Sequence, residues 1–282
     1  MEVLLALLIA VVTAAIPSGP EARSDEGVPI APADRSDPAA GLPRIVGDPA
    51  RPLVVLDAGH GGHDPGAISP FGARREKDVT LAIATAIRDL LAASGRVRVA
   101  MTREDDRYLV LKDRFEIARK MRASLFVSIH ADAAPANDDA RGATIYTLSE
   151  VASDREAALL AEQQNQSDRI AGASLSGETG VDRILIDLAQ RESMTVSSEF
   201  AALLKREASA YFPFRPQYHR FASLAVLKAP DVPSILFETG YLTNPTDTAY
   251  ISSAEGRQQI ALGMKSAIET HFARKLVRVA GR

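Results

Sequence analysis

Two histidines and one glutamate each stand at the end of an apolar run that is typical of a buried β-strand. Residues 53–58 lead into His60, and two later apolar runs end in His130 and Glu238. Strands that are apolar on both faces belong to parallel sheets, and ligands of such α/β proteins bind at the carboxyl edge of the sheet. Two imidazoles and a carboxylate brought to that edge indicate one metal site.

A catalytic zinc ion takes three protein ligands, so a third ligand is needed beside His60 and His130. Glu76 is the best candidate, because it opens a predicted helix just past the glycine-rich turn that contains His60. A carboxylate in the first helical turn also suits the positive end of the helix dipole. One strand-end histidine is more often structural than a ligand, but two of them with carboxylates nearby favour Zn²⁺ bound by His60, Glu76 and His130.

The elements that must position these residues alternate along the chain, as apolar periodicity indicates. The predicted helices are 77–93, 111–122 and 254–273, and the predicted strands are 53–58, 96–102, 124–130, 142–148, 223–228 and 234–238. We therefore expect an α/β fold: a mixed, mostly parallel sheet flanked by helices on both faces, with the zinc site at the carboxyl ends of the strands.

Composition narrows the function further. The chain has 282 residues, a net charge of −3 and no cysteine. The net charge, with a sequence pI of about 6.0, argues against a nucleic-acid partner, and the lack of cysteine excludes disulfides and thiolate metal sites. Helical His-Glu-x-x-His, Gly-x-Ser-x-Gly and P-loop motifs are absent from the sequence, which excludes the thermolysin-like, serine-hydrolase and nucleotide-binding designs that depend on them.

The ends of the chain differ in character from its middle. Residues 1–15 contain a short apolar run followed by small residues, as in a secretory signal peptide, although the usual positive charges are missing. Residues 16–50 have the composition of a disordered linker, 51–275 should form the catalytic domain and 276–282 a solvated tail. We expect an exported monomer, periplasmic or extracellular, without a transmembrane segment after signal removal.

Four segments together resemble the zinc-dependent N-acetylmuramoyl-L-alanine amidases of the third amidase family, over about 220 residues and in the right order. They are His60-Gly-Gly-x-Asp-Pro-Gly, Glu76-Lys-Asp-Val-Thr-Leu, Ser128-Ile-His130-Ala-Asp132 and Glu238-Thr-Gly-Tyr-Leu-Thr-Asn244. The resemblance implies that His60, Glu76 and His130 bind zinc and that Glu238 is the catalytic carboxylate. The implied reaction hydrolyses the amide between the lactyl group of N-acetylmuramic acid and L-alanine of peptidoglycan, for cell-wall remodelling and daughter-cell separation.

Residues 149–192 are helical in pattern but polar, which by itself fits a solvated surface excursion. The segment resembles the inserted regulatory helix of the periplasmic cell-division subgroup, which covers the zinc until an activator protein displaces it. In that subgroup a helix glutamate fills the open zinc position. The resemblance makes Glu162 the first zinc-blocking candidate and Glu156 the second. The residues before Arg51 do not resemble the β-domain that precedes the catalytic domain in larger relatives.

Two other functions fit some of these features. A non-catalytic peptidoglycan-binding homologue would have lost a ligand or Glu238, and a zinc peptidase would act on ordinary peptides. Product analysis on muropeptides separates both from an amidase. Among the remaining polar residues, Asp132 is a candidate to orient His130. Solvent, ion-pair or packing roles are expected for His63, Arg103, Arg114, His219 and His271.

Overall fold

The computed structural model describes residues 41–134, 139–170 and 183–280, and the predicted signal peptide lies outside them. The strands are β1 (Leu53–Ala58), β2 (Arg98–Met101), β3 (Leu125–Asp132), β4 (Ala143–Leu148), β5 (Phe214–Ala222) and β6 (Ser234–Tyr241). The helices are α1 (Glu76–Ser94), α2 (Leu111–Lys120), α3 (Arg155–Ile170), α4 (Arg183–Ala208), α5 (Pro245–Ser252) and α6 (Ala254–Ala280).

These strands form one sheet in the order β2-β1-β3-β6-β4-β5. The first four are mutually parallel, β4 pairs antiparallel with β6, and β5 pairs parallel with β4. The predicted mixed, mostly parallel sheet is therefore confirmed. The reversal at β4 places the beginning of β4 and β5 at the same edge as the carboxyl ends of the other strands.

Alternate strand residues enter two separate apolar cores, one on each face of the sheet. Val54, Val127 and Phe237 pack on one side with α1, α4 and α6, whereas Val55 and Phe126 pack on the other with α2 and α3. Because both faces are covered, β1, β3 and β6 are buried at every position and show no two-residue apolar alternation. That property makes β1, β3 and β6 recognisable in the sequence.

The helix α1 follows the sequence prediction closely. Its apolar stripe of Val79, Ile83, Ile87 and Leu91 is buried. The helix ends at Gly95, which has a φ of 66° and donates its amide to Ala92. Since a left-handed residue after the last turn favours glycine, both the buried face and the end of this helix are readable from the residues alone.

The predicted strand 223–228 is wrong. β5 ends at Ala222, and Ala225–Leu227 form a 3-10 turn. The apolar run at these positions reflects packing of the turn against α2 and α3. β5 itself lies at the edge of the sheet and contains Pro216 and several polar residues, so its apolar alternation is weak.

Two boundaries also differ from expectation. Val46, inside the predicted linker, exchanges backbone hydrogen bonds of 2.9 and 2.8 Å with Val99 and so extends the edge beside β2. At the other end, α6 continues to Ala280 through the predicted tail, where Leu276 and Val277 are exposed. Within the described residues, no helix is both long and apolar enough to cross a membrane.

A buried ion pair lies beneath the carboxyl end of β1. Arg114 donates to Asp57 at 2.9 Å, and Thr102 and Ser128 donate to the same carboxylate at 2.6 and 2.7 Å. Burial would raise the pKa of Asp57, but Arg114 and the two hydroxyl groups outweigh it, and the pKa lies below its usual value. Among the described residues, Asp57 is therefore the carboxylate that pairs directly with the buried Arg114.

Replacing Asp57 with Asn should lower the free energy of unfolding by about 3–5 kcal/mol, because it leaves a buried guanidinium without a counter-charge. Asp89→Asn is the matched control, since Asp89 is 62% exposed in its pair with Arg88 and its loss should cost at most ~1 kcal/mol. Denaturant titrations of both variants measure the difference. Equal losses would show that the buried pair contributes no more than a surface pair.

Candidate metal centre

The side chains predicted to do chemistry meet at the carboxyl edge of the sheet. His60 follows β1, while His130 and Glu238 lie near the ends of β3 and β6 and are register partners. Glu76 is the first residue of α1, which returns across the edge after the turn that contains His60. Parallel pairing of β1, β3 and β6 brings residues that are distant in sequence to one place.

His60, Glu76 and His130 form a compact cluster whose ligand atoms all lie within 4.8 Å of one another. Glu76 bridges the two rings: its Oε2 is 3.1 Å from His60 Nε2, and its Oε1 is 3.0 Å from His130 Nδ1. The three side chains are 9%, 2% and 4% exposed, respectively. The structure thus brings the three predicted ligands together in a largely water-excluded position.

The orientation of the three side chains fits a shared cation. His60 Nε2 is buried and, despite its closeness to Glu76, has no hydrogen-bond partner among the described residues. Its other nitrogen, Nδ1, lies 2.8 Å from Asp64 Oδ2, and the two Glu76 oxygens accept from the amides of Ala67 and Ala131 at 2.8 and 2.9 Å. Metal-binding histidines typically have such a carboxylate on the far nitrogen, which fixes the ring and its tautomer.

The electrostatics favour positive charge at His60, whereas burial lowers the pKa of His130. Burial alone would lower the pKa of His60, but Glu76 and Asp64 outweigh it and raise the pKa to about 9. Burial would raise the pKa of Glu76, but His60 and His130 outweigh it and hold that pKa far below its usual value. The negative potential that raises the pKa of His60 is equally a potential that attracts a metal cation.

Close packing around the cluster requires glycine at two positions. A Cβ atom on Gly59 would lie 2.4 Å from Cε1 of His130, and one on Gly66 would lie 2.7 Å from Oε2 of Glu76. His60 itself has a φ of 60°, a strained conformation for a non-glycine residue. The glycines of the motif therefore allow backbone to approach the ligand side chains directly.

Two arginines hold the strained turn in place. Arg114 donates to the carbonyl oxygens of Ala58 and His60, both at 2.8 Å, and Arg103 donates to those of Ala58 and Gly59 at the same distance. Both guanidinium groups are almost fully buried. Ion-pair or packing roles were expected for Arg103 and Arg114, and their contacts add a positioning role for the backbone around His60.

Glu238 lies beside the cluster and is fully buried, and neither of its carboxylate oxygens has a hydrogen-bond partner within the described parts of the chain. Burial, followed by the negative charges of Asp132 and Glu76, raises its pKa well above the usual value. A buried carboxyl group with free oxygens and a raised pKa can accept a proton and return it.

Asp132 does not orient His130: the structure gives it no hydrogen bond to that ring, and its Oδ1 accepts from the amide of Ala133 at 2.6 Å. Burial and Glu76 raise the pKa of Asp132 to about 8. The carboxylate that contacts a candidate ligand histidine is that of Asp64, 2.8 Å from His60 Nδ1, which sequence reasoning missed although it stands in the glycine-rich motif. His63 packs on Tyr108, with 4.3 Å between ring centroids.

The helix α3 spans the region between β5 and α2. Its buried positions, Ala157, Leu160, Ala161, Gln164 and Asp168, form one stripe at helical spacing. The Asp168 carboxylate accepts from the amide of Leu111 at 2.9 Å and from the hydroxyl of Tyr108 at 3.2 Å. The helix is thus fastened by buried polar contacts as well as by apolar ones.

The two glutamates predicted to block zinc lie outside the three-residue cluster. Glu162 is exposed, because it points away from the buried stripe of α3. Glu156 forms ion pairs with Arg215 and Arg220 and accepts from the hydroxyl of Tyr241 at 3.2 Å. Glu156 is therefore held in ion pairs and Glu162 is exposed, and the helical pattern of the sequence alone does not reveal this difference.

The chain is thus an α/β protein with a mostly parallel sheet, at whose carboxyl edge a His/Glu/His group that could hold a metal ion lies beside a buried carboxyl group. Residues 54–270 match the profile of the N-acetylmuramoyl-L-alanine amidase family. The chain is 36% identical over 222 residues to the amidase AmiA of Escherichia coli K12, covering 78% of this chain and 76% of that one. It therefore belongs to the N-acetylmuramoyl-L-alanine amidase family.

Other relatives agree in sequence and in fold. AmiC of Escherichia coli O6:H1 is 38% identical over 225 residues, but the match covers 79% of this chain and only 54% of the relative, so the chain spans about half the length of that protein. Among solved structures, the amidase AmiC2 of Nostoc punctiforme has a TM-score of 0.56 at 26% identity, covering 79% of this chain and 97% of that one. The catalytic domain of CwlV from Paenibacillus polymyxa, at 23% identity and a TM-score of 0.59, shares the fold over 79% of this chain and 98% of its own.

Proposed function

We propose that this protein is a zinc-dependent N-acetylmuramoyl-L-alanine amidase that removes stem peptides from peptidoglycan. The observation that carries the proposal is the juxtaposition of the cluster His60–Glu76–His130 with the unpaired, buried carboxyl group of Glu238. The relatives named above supply the substrate, since they are N-acetylmuramoyl-L-alanine amidases.

Zinc is the metal that the ligand set favours. Two imidazoles and one carboxylate leave one coordination position open, which is the usual arrangement of catalytic zinc sites. When bound by His60, Glu76 and His130, zinc would polarise the scissile carbonyl group and lower the pKa of the attacking water. The buried surroundings strengthen these effects, because charges interact more strongly where water is excluded.

The protein's own residues then move the proton. Glu238 accepts a proton from the water as it attacks the lactyl carbonyl, and returns it to the nitrogen of L-alanine as the C–N bond breaks. Asp64 keeps His60 in one tautomer, and Arg103 and Arg114 fix the backbone around that histidine. The products are a muramic acid with a free lactyl carboxyl group and a peptide with a free L-alanine amine.

Digestion of purified sacculi by the full chain, followed by mass spectrometry, tests the proposal. An amidase releases peptides that begin with L-alanine and creates no new reducing ends. Cuts inside the stem peptide would instead support the zinc peptidase. Binding without products, both in the unmodified chain and in a variant released from restraint by α3 (Glu156→Gln, below), would support the non-catalytic homologue. The variant Glu238→Gln serves as the negative control for contaminating hydrolases.

We infer from the proposed peptidoglycan substrate where the protein acts and in which process. Peptidoglycan lies outside the inner membrane, so a signal peptide at residues 1–15 would deliver the enzyme to the periplasm or cell exterior. There it would act as a monomer in wall remodelling and daughter-cell separation. Export is tested by whether the mature protein in an extracellular or periplasmic fraction has lost this segment.

We propose that α3 restrains the enzyme until an activator protein displaces it. Support comes from the ion pairs of Glu156 with Arg215 and Arg220 at the candidate site, and from the attachment of Asp168 to Tyr108 and Leu111. The polar contacts can be exchanged for contacts with water or with a partner, and the partner would also have to cover the apolar stripe that α3 leaves exposed when it detaches.

Glu156→Gln should raise basal peptidoglycan hydrolysis by at least about fivefold, because losing these ion pairs shifts α3 toward a detached state. Glu162→Gln is the matched control on the exposed side of the same helix and should leave the rate unchanged. Release of dye from labelled sacculi measures both rates. If Glu162→Gln alone activates, the exposed glutamate blocks the zinc in a conformation other than the one described.

Asp64→Ala should weaken zinc binding by roughly 10- to 100-fold, because His60 loses the carboxylate that orients its ring. Competition with a fluorescent chelator measures the affinity. Asp78→Ala provides a control, since Asp78 lies in an exposed pair with Arg75 in the first turn of α1. An unchanged zinc affinity in the Asp64 variant would show that His60 needs no partner at Nδ1.

A further inference from the structure

Arg215, the second residue of β5, lies at the edge of the sheet that contains the candidate site. β4 runs antiparallel to β6, so the first residues of β5 lie at the same edge as the carboxyl ends of β3 and β6. Between the pairs Ala143–Phe214 and Ile145–His219, β5 contains three more residues than β4. Arg215 belongs to this bulge, and bulges are frequent beside active sites because they redirect a side chain.

The guanidinium group of Arg215 reaches β6 just beyond Glu238. It contacts the hydroxyl of Tyr241 and lies 5.3 Å from the centre of that ring. Tyr241 is three residues past Glu238 and pairs with Asp132, two residues past His130. At about 3.3 Å per strand residue, Tyr241, which Arg215 contacts, lies on the order of 10 Å along β6 from Glu238.

The anion on Arg215 comes from another element. Both Glu156 oxygens face the guanidinium group, one of them in a contact shared with Tyr241 and the other 3.3 Å from its second nitrogen. Among the described residues, Glu156 is the one carboxylate that pairs with Arg215, whereas Arg220 is also paired with Asp154 at 3.0 Å. If α3 detaches, Arg215 loses the carboxylate that pairs with it.

We propose that Arg215 is a substrate-binding residue that takes a carboxylate of the leaving peptide, and that Glu156 imitates this carboxylate in the closed state. The inference rests on the proposed amidase function. A two-pronged arginine that is 14% exposed, stacked on an aromatic ring and aimed along the catalytic edge suits planar carboxylate recognition.

The length of the substrate agrees with this position. An extended peptide advances by about 3.3–3.6 Å per residue, so the span of about 10 Å along β6 between Glu238 and Tyr241 corresponds to two or three stem residues. Acidic residues at these positions offer a free carboxylate, which becomes a neutral amide when amidated. Arg215 would then select stem peptides by charge, and α3 would compete with the substrate itself.

Equilibrium binding separates substrate recognition from catalysis. The zinc-loaded full chain carrying Glu156→Gln and Glu238→Gln is titrated with three muropeptides: the free acid, and forms amidated at the second or at the third residue. The free acid should bind roughly 10- to 100-fold more tightly than one of the amidated forms, as expected for a charge-assisted, two-pronged contact. The amidated form that loses affinity identifies the residue recognised.

Adding Arg215→Gln should abolish this preference, and Arg215→Lys should retain part of it. Arg88→Gln, in an exposed pair on α1, is the matched control and should leave the preference intact. The proposal is overturned if the preference survives Arg215→Gln, or if all three ligands bind alike before that change. Cleavage of the muramoyl amide without charge preference would overturn this inference alone, while charge preference without cleavage in the Glu238-containing enzyme would overturn the proposed function alone.

Discussion

His60→Ala and His130→Ala are each expected to lose bound zinc and all detectable hydrolysis of peptidoglycan. Each change removes one of three donors that lie within 4.8 Å of one another and leaves a buried cluster in which Glu76 has lost a partner. Catalytic zinc sites already have an open position, so a site with two donors cannot hold the ion against water and chelators. The activity that depends on a polarised carbonyl then disappears with the metal.

Elemental analysis of the purified variants, beside turnover of labelled sacculi, measures both losses. His219→Ala is the matched control: His219 is half-buried and contacts Thr147 at 3.0 Å, away from the cluster, and its loss should leave about one zinc per chain. Full zinc content in both ligand variants would refute the assignment. Normal melting temperatures in the presence of excess zinc would show that a loss of activity is not simply unfolding.

Glu238→Gln is expected to keep the fold and the zinc while lowering turnover by about 10²–10⁴-fold, the usual contribution of a general acid–base group. Glutamine has nearly the same shape but cannot take up a proton. Because both Glu238 oxygens are buried without hydrogen-bond partners in the described parts of the chain, the change breaks no existing contact of this side chain.

The comparison variant is Glu255→Gln, at an exposed position in the first turn of α6. It should turn over labelled sacculi at the unmodified rate. A Glu238→Gln enzyme with a similar rate and full zinc would remove this residue from the mechanism. A Glu238→Gln enzyme that has lost zinc would instead mean that Glu238 helps to hold the metal.

The sequence predicts best those strands and helices whose burial produces a regular apolar pattern. β1, β3 and β6 are covered on both faces. Each therefore appears in the sequence as an apolar run that ends at or next to a residue of the candidate site: His60, His130 or Glu238. The stripe on α1 is equally plain, because one face of the helix is buried and the other is not. The position of the candidate metal cluster can be predicted as well, because the carboxyl ends of parallel strands lie at one edge of the sheet.

The apolar run at residues 224–227 shows where this reasoning fails. Burial explains why the residues are apolar, but a 3-10 turn under two helices satisfies burial as well as a strand does. A short apolar run does not specify its backbone conformation. β5 has the opposite property: it pairs fully with β4 along its second half, yet as an edge strand with Pro216 it carries little apolar signal.

Within the site, sequence motifs identify ligands more readily than the residues that position them. Arg103 and Arg114 are remote in sequence from His60, and only the folded chain shows that they bind the backbone around it. Asp64 was accessible from the motif, four residues after His60, but the spacing does not say that its carboxylate reaches Nδ1. The sequence could not decide between Glu162 and Glu156 as the zinc-blocking residue for the same reason. Which side of a helix is buried depends on the elements that pack against it, and these are known only from the folded chain.

The bonds from Arg103 and Arg114 to the turn around His60 also determine when a metal site can exist during folding. The strained backbone at His60 is held by groups that arrive with the segment after β2 and with α2, and His130 arrives later still, with β3. A nascent chain in which only β1 and α1 have formed contains His60 and Glu76, but not yet the arginines that hold the backbone around His60. In the proposed zinc enzyme, metal capture would therefore follow the long-range pairing of β3 with β1. Since the ion would bind the finished fold and not its precursors, each increment of zinc affinity adds to the stability of the whole domain.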